Sequence, residues 1–182
     1  MQEIYFVTGN KGKAEYASKL LCIPVSNHKI DLPEIQSLDL QEVVAAKLET
    51  AYSGLGKPVL IEDVSLEFQE YKRLPGTFIK HYIEEIGLDG LCKMLDGKSR
   101  RATAKCILGY KDENHTEYFY GELKGTIAPE PRGACDFGWD KIFIPDGFTE
   151  TRAGMNQDDN HKTYLTLKRF DLLAEFLKKE YR

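Results

Sequence analysis

Two apolar periodicities, of strand and of helix, divide this chain into elements. Ile4-Tyr5-Phe6-Val7 is a continuous run of strand-forming residues that stops at Thr8-Gly9-Asn10. Beyond it Ala14, Ala17, Leu20 and Leu21 recur at helical spacing, so a buried strand is predicted to run directly into a helix. Pro24 to Ile30 reads as a second, mixed strand, and Asp31 to Gln36 as an extended, proline-interrupted segment. Asp39 is the expected N-cap of a helix with Glu42 closing a capping box, and Leu40, Val43, Val44, Leu48 and Ala51 form its apolar stripe. Gly54, Gly56 and Pro58 end that helix, and Val59-Leu60-Ile61 has the uniform apolarity of a central strand, finishing in Glu62-Asp63. Leu74-Pro75-Gly76 is a turn, Thr77 is the expected cap of a helix to about Glu85, and Gly87 separates it from a second short helix, Leu88 to Leu95. Ala102, Ala104, Cys106 and Leu108 alternate as in a half-buried strand; Glu117 to Leu123 forms another, with Lys111 to Asn114 as the hairpin turn. Arg152 to Lys162 is polar and reads as a mobile loop, and Phe170, Leu173, Ala174 and Leu177 define a closing amphipathic helix.

The pattern is that of an α/β protein without internal repeat or linker. At 182 residues it is expected to be a single domain, residues 1–182, able to bury a proper core. A net charge of −4 argues against bulk attraction to a nucleic acid polymer or an anionic membrane, so an anionic ligand must be held by a local cluster of cations. There is no basic-then-apolar leader and no apolar stretch near the length of a membrane span, which points to the cytoplasm. Cys22, Cys92, Cys106 and Cys135 lie far apart, with no C-x-x-C and no His at zinc-ligand spacing; they read as reduced thiols.

Four places carry candidate chemistry. The helix N-terminus after Thr8-Gly9-Asn10 is either an ordinary turn or an anion site, in which Gly9 lets the backbone approach a ligand and Thr8, Asn10, Lys11 and Lys13 add hydrogen bonds and charge. It fits neither G-x-x-x-x-G-K-[ST] nor G-x-G-x-x-G. Lys47 falls on an apolar stripe, where it either snorkels past the core edge or reaches an anionic site beside the sheet. Glu62-Asp63 stands where open α/β sheets place ligands, although both acids are equally compatible with a solvated strand end; Glu34 alone says little. Phe137, Trp139 and Asp140 suit a flat ring, the aromatics stacking while the carboxylate accepts from the ring edge, or else the aromatics merely anchor a loop.

Thr8-Gly9-Asn10-x-x-Lys13, Glu62-Asp63, Leu74-Pro75-Gly76, Phe137-Gly138-Trp139-Asp140 and Pro145-Asp146-Gly147 together resemble, in order and spacing, the inosine triphosphate pyrophosphatase family. The resemblance implies a two-lobed mixed sheet flanked by helices with a central active-site cleft, and a homodimer. It also implies Mg²⁺-dependent hydrolysis of inosine, xanthosine and deoxyinosine triphosphates to the monophosphate and pyrophosphate. Carried over, Thr8, Gly9, Asn10, Lys13 and Lys80 bind phosphate, with Lys47 contributing to catalysis there. Glu34 and Asp63 hold Mg²⁺, Asp63 also acting as the base, and Phe137, Gly138, Trp139 and Asp140 form the base pocket.

The chain departs from the family pattern in three places. Tyr16 stands where a glutamate is usual, Glu15 being turned by roughly 100° on the helix. Lys141 replaces the proline after Asp140, and the C-terminal Lys with Ser-His-Arg is matched only by Lys162 and Thr166-Leu167-Lys168, with a short insertion; without it Asn160 replaces the lysine. Leu167 has no imidazole and Lys168 no bidentate fork, so weaker discrimination between inosine and adenosine triphosphates is expected. The alternatives are the same chemistry on another modified or damaged nucleotide, and a nucleotide-binding protein that has lost turnover.

Overall fold

The structure is a computed structural model and describes residues 3–134 and 137–181, so the expectation for the Cys135 thiol lies outside the described residues. In chain order the elements are β1 (Ile4–Val7), α1 (Lys11–Leu21), β2 (Val25–His28), α2 (Leu40–Leu55), β3 (Val59–Phe68), β4 (Pro75–Gly76), α3 (Ile79–Lys93), β5 (Arg101–Lys111), β6 (Thr116–Ile127), β7 (Phe143–Pro145), α4 (Gln157–Leu167) and α5 (Phe170–Glu180). Short 3-10 turns lie at Gln69–Tyr71 and Arg152–Gly154. The strands form a seven-stranded mixed sheet in the order β2-β1-β3-β5-β6-β7, with β4 paired to β3 off that path. The chain divides into two compact units: Met1–Asp63 with Cys106–Gly121 and Lys168–Arg182, and Val64–Lys105 with Glu122–Leu167.

In the first unit β1 pairs in parallel with β2, Ile4 opposite Val25, and with β3, Tyr5 opposite Val59. Parallel neighbours need crossovers, and α1 and α2 supply them. The predicted stripe of α2 is buried in full. Its Leu40, Val44, Leu48 and Ala51 pack on Val59, Ile61 and Ile107, and Gly109 lets the helix come close, since a Cβ there would lie 2.7 Å from Val44 Cγ1. α1 packs against α5, whose Phe170, Leu173 and Leu177 are buried.

In the second unit the far part of β3 pairs antiparallel with β4, Leu66 opposite Gly76. β6 and β7 pair antiparallel, Gly125 opposite Pro145. Gly87 breaks α3 at φ 68° as its sequence predicts, and Leu91, Cys92 and Leu95 are buried beyond it.

Several expectations are corrected. Arg152 to Lys162 is not a loop: it forms a 3-10 turn and most of α4. Asn156 accepts the Asp159 N–H at 2.9 Å, and Asp158 and Asp159 suit the positive end of that helix, whose thin apolar face leaves little periodicity to read. Glu62-Asp63 does not end a strand, because β3 continues through buried Leu66 and Phe68, sustained by its pairing with β4. Asp39 caps α2 through the Gln41 N–H, yet the capping box is not closed: Ser37 intervenes, its hydroxyl accepting the Asp39 N–H and donating to Glu42. The helix after Leu74-Pro75-Gly76 begins at Ile79 with Phe78, not Thr77, at the N-cap.

Candidate active site

The first unit carries the strand-to-helix turn. Thr8 Oγ1 accepts the Asn10 N–H at 3.2 Å, and Asn10 Oδ1 accepts the Gly12 N–H at 3.0 Å, so both side chains cap and tighten the start of α1. Edge strand β2 holds the turn from beside it, the Thr8 N–H donating to the His28 carbonyl and the Asn27 amide to the Thr8 carbonyl. A Cβ placed on Gly9 would meet nothing within 4 Å, which leaves the space beside the turn open.

Successive residues of a strand face opposite sides, so Glu62 and Asp63 serve separate clusters. Glu62, 2% exposed, receives Lys13 Nζ at 2.8 Å and Lys168 Nζ at 2.7 Å, both on Oε1. Its Oε2 is sealed and has no hydrogen-bond partner. Burial alone would raise this carboxyl's pKa, but the Lys168 and Lys13 ammonium groups outweigh it and hold the group down at about 2. On the other side Lys47, 14% exposed, donates to Asp63 Oδ2 at 2.5 Å and to Glu34 Oε1 at 2.7 Å. Burial works against the Lys47 charge, yet the attraction of Asp63 and Glu34 prevails and raises its pKa, so the ammonium is charged at neutral pH. Lys47 therefore reaches from the stripe of α2 to an acidic pair beside the sheet.

This unit thus assembles Lys13, Glu34, Lys47, Asp63 and Lys168 of the sequence candidates, and adds Glu62 as the anchor of two lysines. The alternation of a strand through positions 62 and 63 is the signal that separates the two acids. Cys106, whose pKa burial pushes up to about 12, is a core thiol and not a nucleophile. Among the described residues Cys22, Cys92 and Cys106 are free.

The second unit holds the aromatic turn. Gly138 takes φ 51°, and the Asp140 N–H returns to the Phe137 carbonyl at 3.0 Å. Trp139 is buried edge-on against Phe143, with ring centroids 5.3 Å apart, while Phe137 is 50% exposed. Trp139 anchors the turn and Phe137 is its open ring. The Asp140 carboxylate, 11% exposed, accepts from Arg152 Nε at 2.9 Å, and Arg152, 5% exposed, also donates through Nη1 to Thr163 Oγ1 at 2.8 Å. Thr163 donates to the Asn160 carbonyl and the Asn160 amide to the Arg152 carbonyl, closing a ring of hydrogen bonds onto α4. Arg152 escapes sequence reasoning because it opens a stretch that reads as a polar loop and its partner lies twelve residues away.

The remaining candidates of this unit are exposed. Lys80 lies on α3, 3.9 Å from Glu84, next to His81, which is also exposed. Lys162 and Thr166 are exposed on α4, the Thr166 hydroxyl donating to the Lys162 carbonyl, and Leu167 is buried.

Among the described residues no three or more His, Cys, Asp or Glu side chains gather in a way that could hold a metal ion. Glu34 and Asp63 nevertheless converge on one cation, the Lys47 ammonium. Two carboxylates at one point suit a small hard ion that completes its shell with water and substrate phosphates, as Mg²⁺ does.

A family model described as the Ham1 family matches residues 4–176. The chain is 40% identical over 181 residues to the inosine triphosphate pyrophosphatase of Yarrowia lipolytica, covering 96% of this chain and 95% of that protein. It is 34% identical to the dITP/XTP pyrophosphatase of Methanopyrus kandleri, covering 97% and 96% respectively. The solved Ham1 protein of Staphylococcus aureus superimposes with a TM-score of 0.86 at 25% identity, covering 98% of this chain and all of that one.

Proposed function

From the premise that the chain belongs to the Ham1 family, we propose that it is a nucleoside triphosphate pyrophosphatase. It hydrolyses non-canonical purine nucleotides (the inosine, deoxyinosine and xanthosine triphosphates) to the monophosphate and pyrophosphate with Mg²⁺. The observation that carries the reading is Lys47 of α2 held between Glu34 and Asp63, the latter on β3 just after Glu62, which anchors Lys13 and Lys168. A triphosphate needs cations where its charge lies, and three lysines with the N-terminal end of α1 supply them.

Thr8, Gly9, Asn10 and Lys13 cradle the phosphates. Lys47 neutralises charge that builds up as the bond breaks. Asp63 accepts the proton of a water molecule whose oxygen attacks the α-phosphorus in line; the α–β anhydride bond breaks and its electron pair leaves with pyrophosphate. Glu34 and Asp63 would hold Mg²⁺, which, when bound, neutralises phosphate charge. Phe137 stacks on the base over a turn anchored by Trp139, Asp140 accepts from its ring edge, and Lys162, Thr166 and Lys168 stand where the family's C-terminal motif lies. The same reading includes a homodimer acting in the cytoplasm; no helix among the described residues is long and apolar enough to cross a membrane.

The test is a screen of pyrophosphate release across ordinary, deaminated and modified triphosphates, with and without Mg²⁺. Pyrophosphate from inosine and xanthosine triphosphates, abolished by chelation, is the expected result. Stepwise orthophosphate from a preparation free of pyrophosphatase would rule the mechanism out, and turnover confined to another modified base would move the substrate.

A further inference from the structure

We propose that Arg152 is a specificity-determining residue of the base pocket, replacing from a different element the directed donor that Leu167 and Lys168 do not provide. The inference rests on the base-pocket reading of Phe137 and Asp140 given above. Lys168 is committed to Glu62 at 2.7 Å, and Leu167 is an apolar, buried side chain. Arg152 by contrast meets Asp140 itself, with Nε on Oδ1, and Thr163 fixes the guanidinium from the other side through Nη1. Nε and Nη1 being spent, Nη2 of Arg152 and Oδ2 of Asp140 have no hydrogen-bond partner among the described residues. Neither is among the sealed unpartnered side-chain atoms of the described residues, which are Ser26 Oγ and Glu62 Oε2.

The pair therefore offers one donor and one acceptor from side chains that hold each other. A 6-keto purine offers the matching order, its O6 accepting from Nη2 while its N1–H donates to Oδ2. Adenine in the same orientation reverses both groups: its amino hydrogens meet the guanidinium and its N1 lone pair meets the carboxylate. Both contacts become repulsive, which is the strongest form of discrimination a polar pocket can build. Because Arg152 is locked to Asp140, to Thr163 and through its own carbonyl to Asn160, its orientation is set before a nucleotide arrives.

The experiment compares kcat/KM and equilibrium binding of inosine and adenosine triphosphates for the wild type, Arg152→Gln and Arg152→Lys, with thermal unfolding as the check on fold. The wild type is expected to prefer the inosine nucleotide. Arg152→Gln should lose about ten- to a hundredfold of that preference, mostly through the inosine nucleotide. Arg152→Lys keeps a cation beside Asp140 but lacks the fork, so it should fold like the wild type and still lose selectivity. Equal weakening of both nucleotides would reduce Arg152 to a structural role and overturn the proposal, as would an unchanged ratio or a wild type with no preference. A wild type that binds inosine triphosphate selectively without releasing pyrophosphate removes the catalytic reading, and the binding ratios of the variants then decide Arg152. A wild type that binds neither nucleotide overturns both.

Discussion

Asp63 and Lys47 are bound to each other at 2.5 Å, and their substitutions separate two kinds of loss. Asp63→Asn keeps the shape of the side chain and an oxygen for Lys47, but the amide cannot take a proton and is a poorer ligand for a hard cation. Turnover should vanish while the thermal unfolding midpoint stays close to that of the wild type; a folded variant with wild-type kinetics would remove Asp63 from the active site. Lys47→Ala should lower kcat by about two to three orders of magnitude, the loss usual for one group that stabilises developing charge. It also leaves Glu34 and Asp63 facing each other without a cation, so steady-state kinetics should be read together with a Mg²⁺ titration. At this scale the sequence picks out the lysine and the acid that the structure brings together, because a lysine on an apolar stripe and an acid on a buried strand violate the surrounding pattern. It does not identify Arg152 or the role of Glu62: each is defined by a partner, and Lys168 lies 106 residues from Glu62.

Among the elements, a tight steric constraint lies where β6 meets β7. A Cβ on Gly125 would stand 2.3 Å from the Ile144 carbonyl oxygen and 2.7 Å from the Phe143 ring, so even one methyl group must push the strands apart. Gly125→Ala is expected to cost about 1–3 kcal/mol, as overpacking of a tight site does. Chemical denaturation should report that loss, whereas Gly54→Ala, where a Cβ meets nothing within 4 Å, should leave stability nearly unchanged or raise it slightly. Elements with strong periodicity are legible in advance: α2 and α5 bury the residues their spacing predicts, and the glycine that breaks α3 breaks it. α4 is not, since its buried residues are Thr163 and Leu167 and its start depends on a side-chain cap rather than on an apolar face. The length of β3 is hidden for a different reason, its acidic pair looking like an end when pairing with β4 carries the strand on.

At the scale of the whole molecule, acid acts on a tie between distant parts of the chain. The hairpin between β5 and β6 is tied to the last helix through Asp112, which accepts from the Tyr110 hydroxyl and from the Asn114 and His115 N–H groups, while Tyr110 meets the Tyr181 hydroxyl at 3.0 Å. Burial works against the Asp112 charge, but the Tyr110 hydroxyl and those N–H groups prevail and hold its pKa below the ordinary 3.8. A carboxyl with a lower pKa folded than unfolded contributes stability that is fully present above the unfolded value and is lost as the pH falls through the folded one. Stability against urea should therefore fall below about pH 3.8 in the wild type, and less steeply in Asp112→Asn, which starts less stable at neutral pH. Identical acid limbs for the two proteins would show that other carboxylates dominate.

The α/β class, the positions of the long helices, the strand-to-helix turn at Thr8-Gly9-Asn10 and the separation of an acid–lysine region from an aromatic one are all determined by the sequence. Each is a local property: periodicity sets which face is buried, and glycine, proline and capping residues set where elements begin and stop. Tertiary structure alone decided that Glu62 binds two lysines while its neighbour Asp63 serves a third, that Lys168 joins this cluster, and that Arg152 grips Asp140. The physical reason is that a buried charge is tolerated only where a partner meets it within a few ångströms, and those partners come from strands, turns and helices that only folding brings together.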